Sequence, residues 1–137
     1  MFRARVEEAG LGQHIEIDSA GTHDYHIGKP PDTRTQRAAM KRGYDMSGLR
    51  GRQVQISDFF RFDFVLAMDH ANMENLLRLC PQKEQGRLDL FLKYASRHGE
   101  REVPDPYYGG EEGFERVLDM VEDAAEGLLM YIRQASD

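Results

Sequence analysis

The chain has 137 residues, of which 40% are hydrophobic and 31% charged. This composition is typical of a soluble globular protein, and the length predicts a single domain over residues 1–137. Its formal net charge of −6 argues against a nucleic-acid partner, because that affinity comes mostly from Lys and Arg side chains that neutralise phosphates. The sequence has neither a membrane span of roughly 20 apolar residues nor a signal peptide, and its single cysteine, Cys80, suits a reducing compartment, so a cytoplasmic location is expected.

The first part of the chain predicts helices on either side of one short strand. Residues 2–9 read as a helix, and the alternation of residues 14–17 predicts a strand followed by a small-residue loop. Asp32 follows two prolines and is a natural N-cap for a helix that runs to about Lys41. A short helical turn is predicted to start at Ser57.

The second part predicts two more strands and two more helices. Residues 62–68 are nearly all apolar, which predicts a parallel strand buried on both faces. A helix over residues 72–79 and a strand over residues 88–92 follow. Residues 114–132 carry apolar side chains at the i, i+3, i+4, i+7 spacing of a long helix. This alternation predicts an α/β fold, a three-layer sandwich with a small, mainly parallel sheet flanked by helices.

The start of the chain is unusual for such a fold. A doubly wound sheet normally opens with a strand, and the loop after that strand supplies an anion-binding site. This chain opens inside a helix that has no N-cap residue. We therefore expect that the first strand of the sheet is missing and that the domain is truncated at its N-terminus.

Chemistry is predicted in the loops beyond the carboxyl ends of the strands. Asp105 lies between two prolines on a stiff loop, next to Tyr107 and Tyr108, and a carboxylic acid beside an aromatic wall can protonate the leaving oxygen of a phenol ester. Taken alone, this stretch is more often an ordinary surface turn. In the same way, Asp69 alone is more often a helix cap and Tyr25 a packed loop aromatic.

Other reactive or charged residues are predicted to be structural. The basic residues Lys41, Arg42, Arg50 and Arg52 are expected on the solvated surface. No metal site is predicted, because the histidines and the cysteine lack the spacing of metal ligands. Cys80 lies late in a helix among leucines and is expected to be a buried structural thiol.

Taken together and in order, five segments resemble the low-molecular-weight protein tyrosine phosphatase family. They are Asp-Ser-Ala-Gly-Thr at 18–22, Gly-Lys-Pro-Pro-Asp-Thr-Arg at 28–34, Arg-Gln at 52–53, Phe-Asp-Phe-Val-Leu-Ala-Met-Asp at 62–69 and Pro-Asp-Pro-Tyr-Tyr-Gly at 104–109. The similarity runs from Met1 to the C-terminal helix. The resemblance implies a four-stranded parallel sheet whose first strand is central, and hydrolysis of phosphotyrosine in two steps without a metal or cofactor.

The resemblance also implies roles for individual residues. In the family a cysteine thiolate attacks phosphorus, and the residue matched by Asp105 protonates the leaving phenol and then activates water. Ser19 and Asp69 match a network that supports the nucleophile loop. The tyrosines matched to the cleft that holds the substrate ring are Tyr25, Tyr107 and Tyr108. The implied partner is a phosphotyrosine protein, such as a bacterial tyrosine kinase or a polysaccharide-synthesis protein.

Two departures from the family pattern change the expectation. The family's Cys-x5-Arg-Ser loop is absent, and Cys80 cannot replace it because Gly86 stands where the arginine is required. Leu49 stands where many members have a histidine of the supporting network. The chain as written is therefore expected to be inactive, either as part of an ordinary phosphatase or as a pseudophosphatase that binds proteins.

Two further expectations follow from the resemblance. A related arsenate reductase is a weaker alternative, because reductases use further cysteines and this chain has only one. The gap left by the missing strand is expected to be repaired, either because the remaining strands close together or because a homo-oligomer supplies a strand from another copy.

Overall fold

A computed structural model describes residues 1–22, 28–31, 33–104 and 110–136, with the backbone alone at residues 110–111 and 135–136. Its α-helices are α1 (Phe2–Glu8), α2 (Thr33–Met40), α3 (Asp58–Arg61), α4 (His70–Leu79) and α5 (Gly110–Ser136). Its strands are β1 (Val65–Ala67) and β2 (Leu88–Leu90), and 3-10 helices cover Gln82–Arg87 and Phe91–Tyr94. The helices follow the sequence prediction closely, whereas the strands are shorter than predicted.

The sheet is small and parallel. β1 and β2 pair in parallel, with Val65 opposite Leu88 and Ala67 opposite Leu90. α4 and the first 3-10 helix make the crossover between them. The predicted α/β fold with a small parallel sheet and flanking helices is confirmed.

The strand predicted over residues 14–17 does not form. Ile15 and Ile17 are half-buried and Glu16 is exposed, so the side chains do alternate as the sequence indicated. The backbone, however, pairs only later, at a single parallel bridge between Gly21 and Gln53. The Ile17 carbonyl instead accepts a hydrogen bond from the Arg3 guanidinium at 2.7 Å. Alternation selects the face that is buried, but a strand also needs a neighbouring backbone.

The strand predicted over residues 62–68 is also corrected. Only three residues form β1, and Phe64, Val65 and Leu66 are half-buried rather than fully buried. Within the described part of the chain, β1 pairs with β2 alone. Within these residues, β1 therefore has a neighbouring strand on one edge only, whereas a strand in the middle of a parallel sheet has one on each edge.

Two apolar clusters lie on the two sides of the sheet. The first packs α5 against the 3-10 helix Phe91–Tyr94 and contains Phe91, Leu92, Met120, Ala124, Ala125 and Leu128. The second joins α3, α4 and the sheet and contains Phe59, Ala67, Leu76, Cys80 and Leu88. The strands are thus held from both faces, as expected for layered α/β packing.

The sequence suggested that Arg42 lies on the solvated surface, but its side chain is only 23% exposed. It lies just past α2, and its guanidinium reaches three carboxylates of α5: Glu115 at 2.5 Å, Asp119 at 2.9 Å and Glu122 at 2.7 Å. The pKa of Arg42 is raised, first by the hydrogen bond to Glu122. Because four side chains share this network, it fastens α2 to the long C-terminal helix.

Candidate active site

The carboxyl end of β1 is where the candidate site residues of the described chain gather. Asp69 follows β1 and caps α4, with its Oδ1 accepting the Asn72 backbone N–H at 2.7 Å. The Asn72 side-chain amide in turn donates to the Thr22 hydroxyl at 3.3 Å. The start of α4 is therefore joined to the loop over residues 18–22, which contains exposed Ser19.

A partly buried ion pair holds the same loop in place. The Arg52 guanidinium donates to both carboxylate oxygens of Asp58 at 3.0 and 3.1 Å, and its Nε lies 3.2 Å from Asp18 Oδ2. The Arg52 carbonyl accepts the Gly21 N–H at 2.7 Å. Asp58 is only 8% exposed, whereas the Arg52 side chain is 34% exposed, so Arg52 lies at the surface as expected but uses its charge in a fixed ion pair.

The ion pair between Asp58 and Arg52 makes the free energy of unfolding depend on pH. The hydrogen bonds from Arg52 lower the pKa of the Asp58 carboxyl despite its burial. Its contribution is therefore complete above the unfolded pKa of about 3.9 and is lost as pH falls through the lower folded pKa. We expect Asp58→Asn to cost about 1–3 kcal/mol at neutral pH and to flatten the loss of stability below about pH 4. Urea unfolding from pH 3 to 7 measures this, with exposed Asp63→Asn as the control; parallel slopes for both variants would contradict it.

The chain that leads into Asp105 lies against the same end of β1. The Val103 backbone N–H donates to the Met68 carbonyl at 2.8 Å, and the Glu102 carboxylate accepts the His70 backbone N–H at 2.9 Å. Pro104 is the last described residue before Asp105. The predicted residues Asp105, Tyr107, Tyr108 and Tyr25 lie outside the described residues.

A groove of about 1530 Å³ lies beside β1. The half-buried side chains of Ile15 and Ile17 line one part of it, and Phe64 and Leu66 line another. Ser19, Asn72 and Leu49 also line it, and Leu49 is 45% exposed. Since pockets for small ligands usually hold about 300–1,000 Å³, this groove is larger than a small-molecule site needs.

Cys80 is a buried thiol far from these residues. It is 6% exposed at the C-terminal end of α4, and its Sγ lies 3.4 Å from the Pro81 carbonyl oxygen. Burial raises the pKa of the Cys80 thiol, and the negative charge of Glu84 raises it further. Asp69 lies at the other end of α4, roughly 16 Å away along a helix that rises about 1.5 Å per residue. The expectation of a buried thiol is confirmed.

The described residues bring no group of three potential metal ligands together. In the same part of the chain, no helix combines the length and the apolar composition needed to cross a membrane.

A family model described as low molecular weight phosphotyrosine protein phosphatase matches residues 1–136. The α/β fold, in which residues 102 and 103 are held at the carboxyl end of β1, agrees with this match to a phosphatase family. The chain belongs to the low molecular weight protein tyrosine phosphatase family.

Individual relatives agree with this assignment. A low molecular weight protein-tyrosine-phosphatase of Streptomyces coelicolor is 44% identical over 137 residues, which cover 98% of this chain and 83% of the relative. The corresponding phosphatase of Schizosaccharomyces pombe is 39% identical over 133 residues, covering 96% of this chain and 85% of the relative. A tyrosine phosphatase crystal structure from Entamoeba histolytica, with Hepes in its active site, has a TM-score of 0.93 at 36% identity and covers 99% of this chain and 86% of that one.

One anchor of the site region was not predicted from the sequence. Asp123 lies on the buried face of α5 and is 2% exposed, and its carboxylate binds the chain around residues 96–98. A signal was available, since Asp123 is three residues after Met120 and directly before Ala124, in the phase of the helix's apolar stripe. An acidic residue in that phase predicts a buried partner.

Proposed function

We propose that this chain provides the proton-donor and substrate-ring side of a phosphatase that hydrolyses phosphotyrosine through a cysteinyl-phosphate intermediate. Asp105 is the general acid, and the ring is held by Tyr25, Tyr107 and Tyr108. The observation that carries the proposal is the family match over residues 1–136, which includes all four of these residues. The hydrogen bond from Val103 to Met68 supports it, because it leads the chain before Asp105 to the carboxyl end of β1.

The proposed reaction has two steps. A cysteine thiolate attacks phosphorus, the bond from phosphorus to the tyrosine oxygen breaks, and Asp105 gives its proton to the leaving phenolate oxygen. In the second step the Asp105 carboxylate takes a proton from water, whose oxygen displaces the thiolate from phosphorus and releases phosphate. The same residue thus acts as acid and then as base. Ser19 and Asp69 would support the loop that carries the nucleophile.

The 137 residues themselves contain no Cys-x5-Arg sequence. Cys80 has Gly86 at the arginine position, and its burial and raised pKa disfavour the thiolate. In this proposal the polypeptide of these residues does not turn over by itself. A pseudophosphatase that binds proteins without hydrolysis is the second candidate, and the same lack of a nucleophile favours it.

The groove beside β1 is the proposed place for a further strand. It lies next to the strand whose described backbone pairs only with β2, and the apolar side chains of Ile15, Ile17, Phe64 and Leu66 line it. A strand there would pair with β1 and cover this apolar surface. It could come from chain preceding Met1 or from another copy in a homo-oligomer, and sedimentation of the 137-residue polypeptide distinguishes a monomer from an oligomer.

We propose the physiological setting from the resemblance to the family. The substrate would be a phosphotyrosine protein, with a bacterial tyrosine kinase or a polysaccharide-synthesis protein as candidates, and the location would be the cytoplasm. The single cysteine, Cys80, which is free and buried, is consistent with a reducing compartment.

The deciding experiment compares aryl phosphate hydrolysis by the 137-residue polypeptide with that of a version extended upstream along its own gene. We expect turnover only by the extended version. Inactivity of both, with both folded, would instead favour the pseudophosphatase. Turnover by the shorter polypeptide that disappears in Cys80→Ser would contradict our assignment of Cys80 as structural.

A further inference from the structure

We infer that Asp123 is a positioning residue that fixes the chain segment leading to Asp105, over residues 96–104. The inference rests on the proposed function, because it concerns the placement of the proposed proton donor. Asp123 of α5 would then influence the reaction by positioning another residue, without touching substrate.

The Asp123 carboxylate is surrounded by donors from one short turn. It accepts backbone N–H groups from three consecutive residues, Ser96 at 3.0 Å, Arg97 at 2.8 Å and His98 at 3.1 Å. Its Oδ2 also lies 2.9 Å from His98 Nδ1, and its Oδ1 lies 3.3 Å from the Ser96 hydroxyl. An ionised carboxylate that is 2% exposed is stable only with such partners. The turn over residues 96–98 therefore depends on this side chain.

The carboxylate is charged in the folded protein. Burial alone would raise the pKa of Asp123, but the hydrogen bonds from His98 and from the backbone of Ser96 and Arg97 outweigh it and lower that pKa well below its usual range. Charged acceptors form hydrogen bonds roughly twice as strong as neutral ones. A neutral amide in the same place would present its own N–H groups to the backbone donors.

The other end of the segment is fixed to the sheet. Glu102 accepts the His70 N–H and Val103 donates to the Met68 carbonyl, both at the end of β1. Between the two anchors, Glu100 forms an ion pair with Arg116 of α5 at 2.8 Å. Residues 96–104 thus run from the C-terminal helix to the site edge with a fixed start and a fixed end.

Such fixing matters for proton transfer. A general acid works only within about 2.6–3.2 Å of the oxygen that it protonates, and a misplacement of about 1 Å can cost roughly 100-fold in rate. Loss of the anchor at residues 96–98 would leave the segment held only by its contacts with β1 and by the exposed Glu100–Arg116 ion pair. The cost should then appear in the step that needs the acid, rather than in folding alone.

The kinetic test uses Asp123→Asn in the polypeptide that hydrolyses aryl phosphates, with Glu112→Gln at an exposed position of α5 as the control. kcat/KM is measured with phenyl phosphate, whose leaving group has a pKa of about 10 like that of tyrosine, and with p-nitrophenyl phosphate, whose more acidic phenol needs less protonation. We expect Asp123→Asn to lose about 10-fold or more on phenyl phosphate and clearly less on p-nitrophenyl phosphate. Equal losses on both substrates would reduce Asp123 to a structural residue and overturn the inference.

A second measurement does not depend on turnover. In Asp123→Asn, hydrogen exchange of the 137-residue polypeptide should become faster at the amides of residues 96–103, whereas the amides of α5 should keep their rates. His98→Gln keeps the buried Asp123 carboxylate but removes the imidazole that contacts it, so it should raise exchange at the same amides by a smaller amount. This second variant keeps the inference testable if Asp123→Asn does not fold. Unchanged exchange at residues 96–103 would overturn the inference. Inactivity of both polypeptide lengths would contradict the proposed function, but the exchange result would still decide the role of Asp123.

Discussion

Asp105→Asn, made in the polypeptide that turns over, is expected to lower kcat about 10²–10⁴-fold. The amide of asparagine can neither give a proton to the leaving phenolate nor take one from water, so both proposed steps slow. The loss in kcat/KM should be larger for phenyl phosphate than for p-nitrophenyl phosphate. The pH–rate profile should also lose the decline at alkaline pH that comes from ionisation of the acid.

The matched control for this variant is Glu112→Gln, which removes one carboxylate from the exposed start of α5. It should change kcat less than about twofold, as is usual for a surface substitution. If Asp105→Asn hydrolyses phenyl phosphate as fast as the parent, Asp105 is not the proton donor and the proposed mechanism fails.

Gly127→Ala is expected to destabilise the fold by about 3 kcal/mol or more. A Cβ at residue 127 would lie 1.8 Å from the carbonyl oxygen of Tyr94 and 2.9 Å from its carbonyl carbon. That carbonyl belongs to the backbone of the 3-10 helix packed on α5, so the clash cannot be relieved by a side-chain rotation. In an exposed helix the same substitution would normally stabilise by up to about 1 kcal/mol, so the sign of the effect is diagnostic.

Thermal unfolding measures this effect, and the melting temperature should fall by roughly 10 °C for a chain of this size. Gly86→Ala is the control, because Gly86 also lies in a helix and a Cβ there would meet no atom within 4 Å. A variant Gly127→Ala as stable as the parent would show that α5 and the Phe91–Tyr94 helix are not packed as closely as described.

The sequence predicted elements that depend on local pattern better than those that need a distant partner. The helices were predicted because caps, stops and the 3.6-residue period are local signals. The strand over residues 14–17 failed because alternation specifies a buried face without specifying a neighbouring backbone. Residues Ile15 and Ile17 do turn inward, yet no ladder forms there.

The same distinction applies to the site. Asp69 could be predicted as a helix cap because the cap and the N–H that it binds are three residues apart. The roles of Arg52 and Asp123 could not be read from spacing, since their partners are fixed by how loops and helices pack. The Asp123 carboxylate binds N–H groups 25 to 27 residues away. Asp105 and the three tyrosines remain predictions.

The ion pairs that join the two ends of the chain have a consequence for its biosynthesis. Arg5 of α1 binds Glu122 of α5 at 3.2 Å, a contact between residues 117 positions apart. Because α5 also supplies most of the first apolar cluster, that cluster cannot assemble until α5 has left the ribosome. Until then α1, Phe91 and Leu92 lack the surface of α5 against which they pack. These contacts of α1 and of the Phe91–Tyr94 helix can therefore form only after α5 has been synthesised.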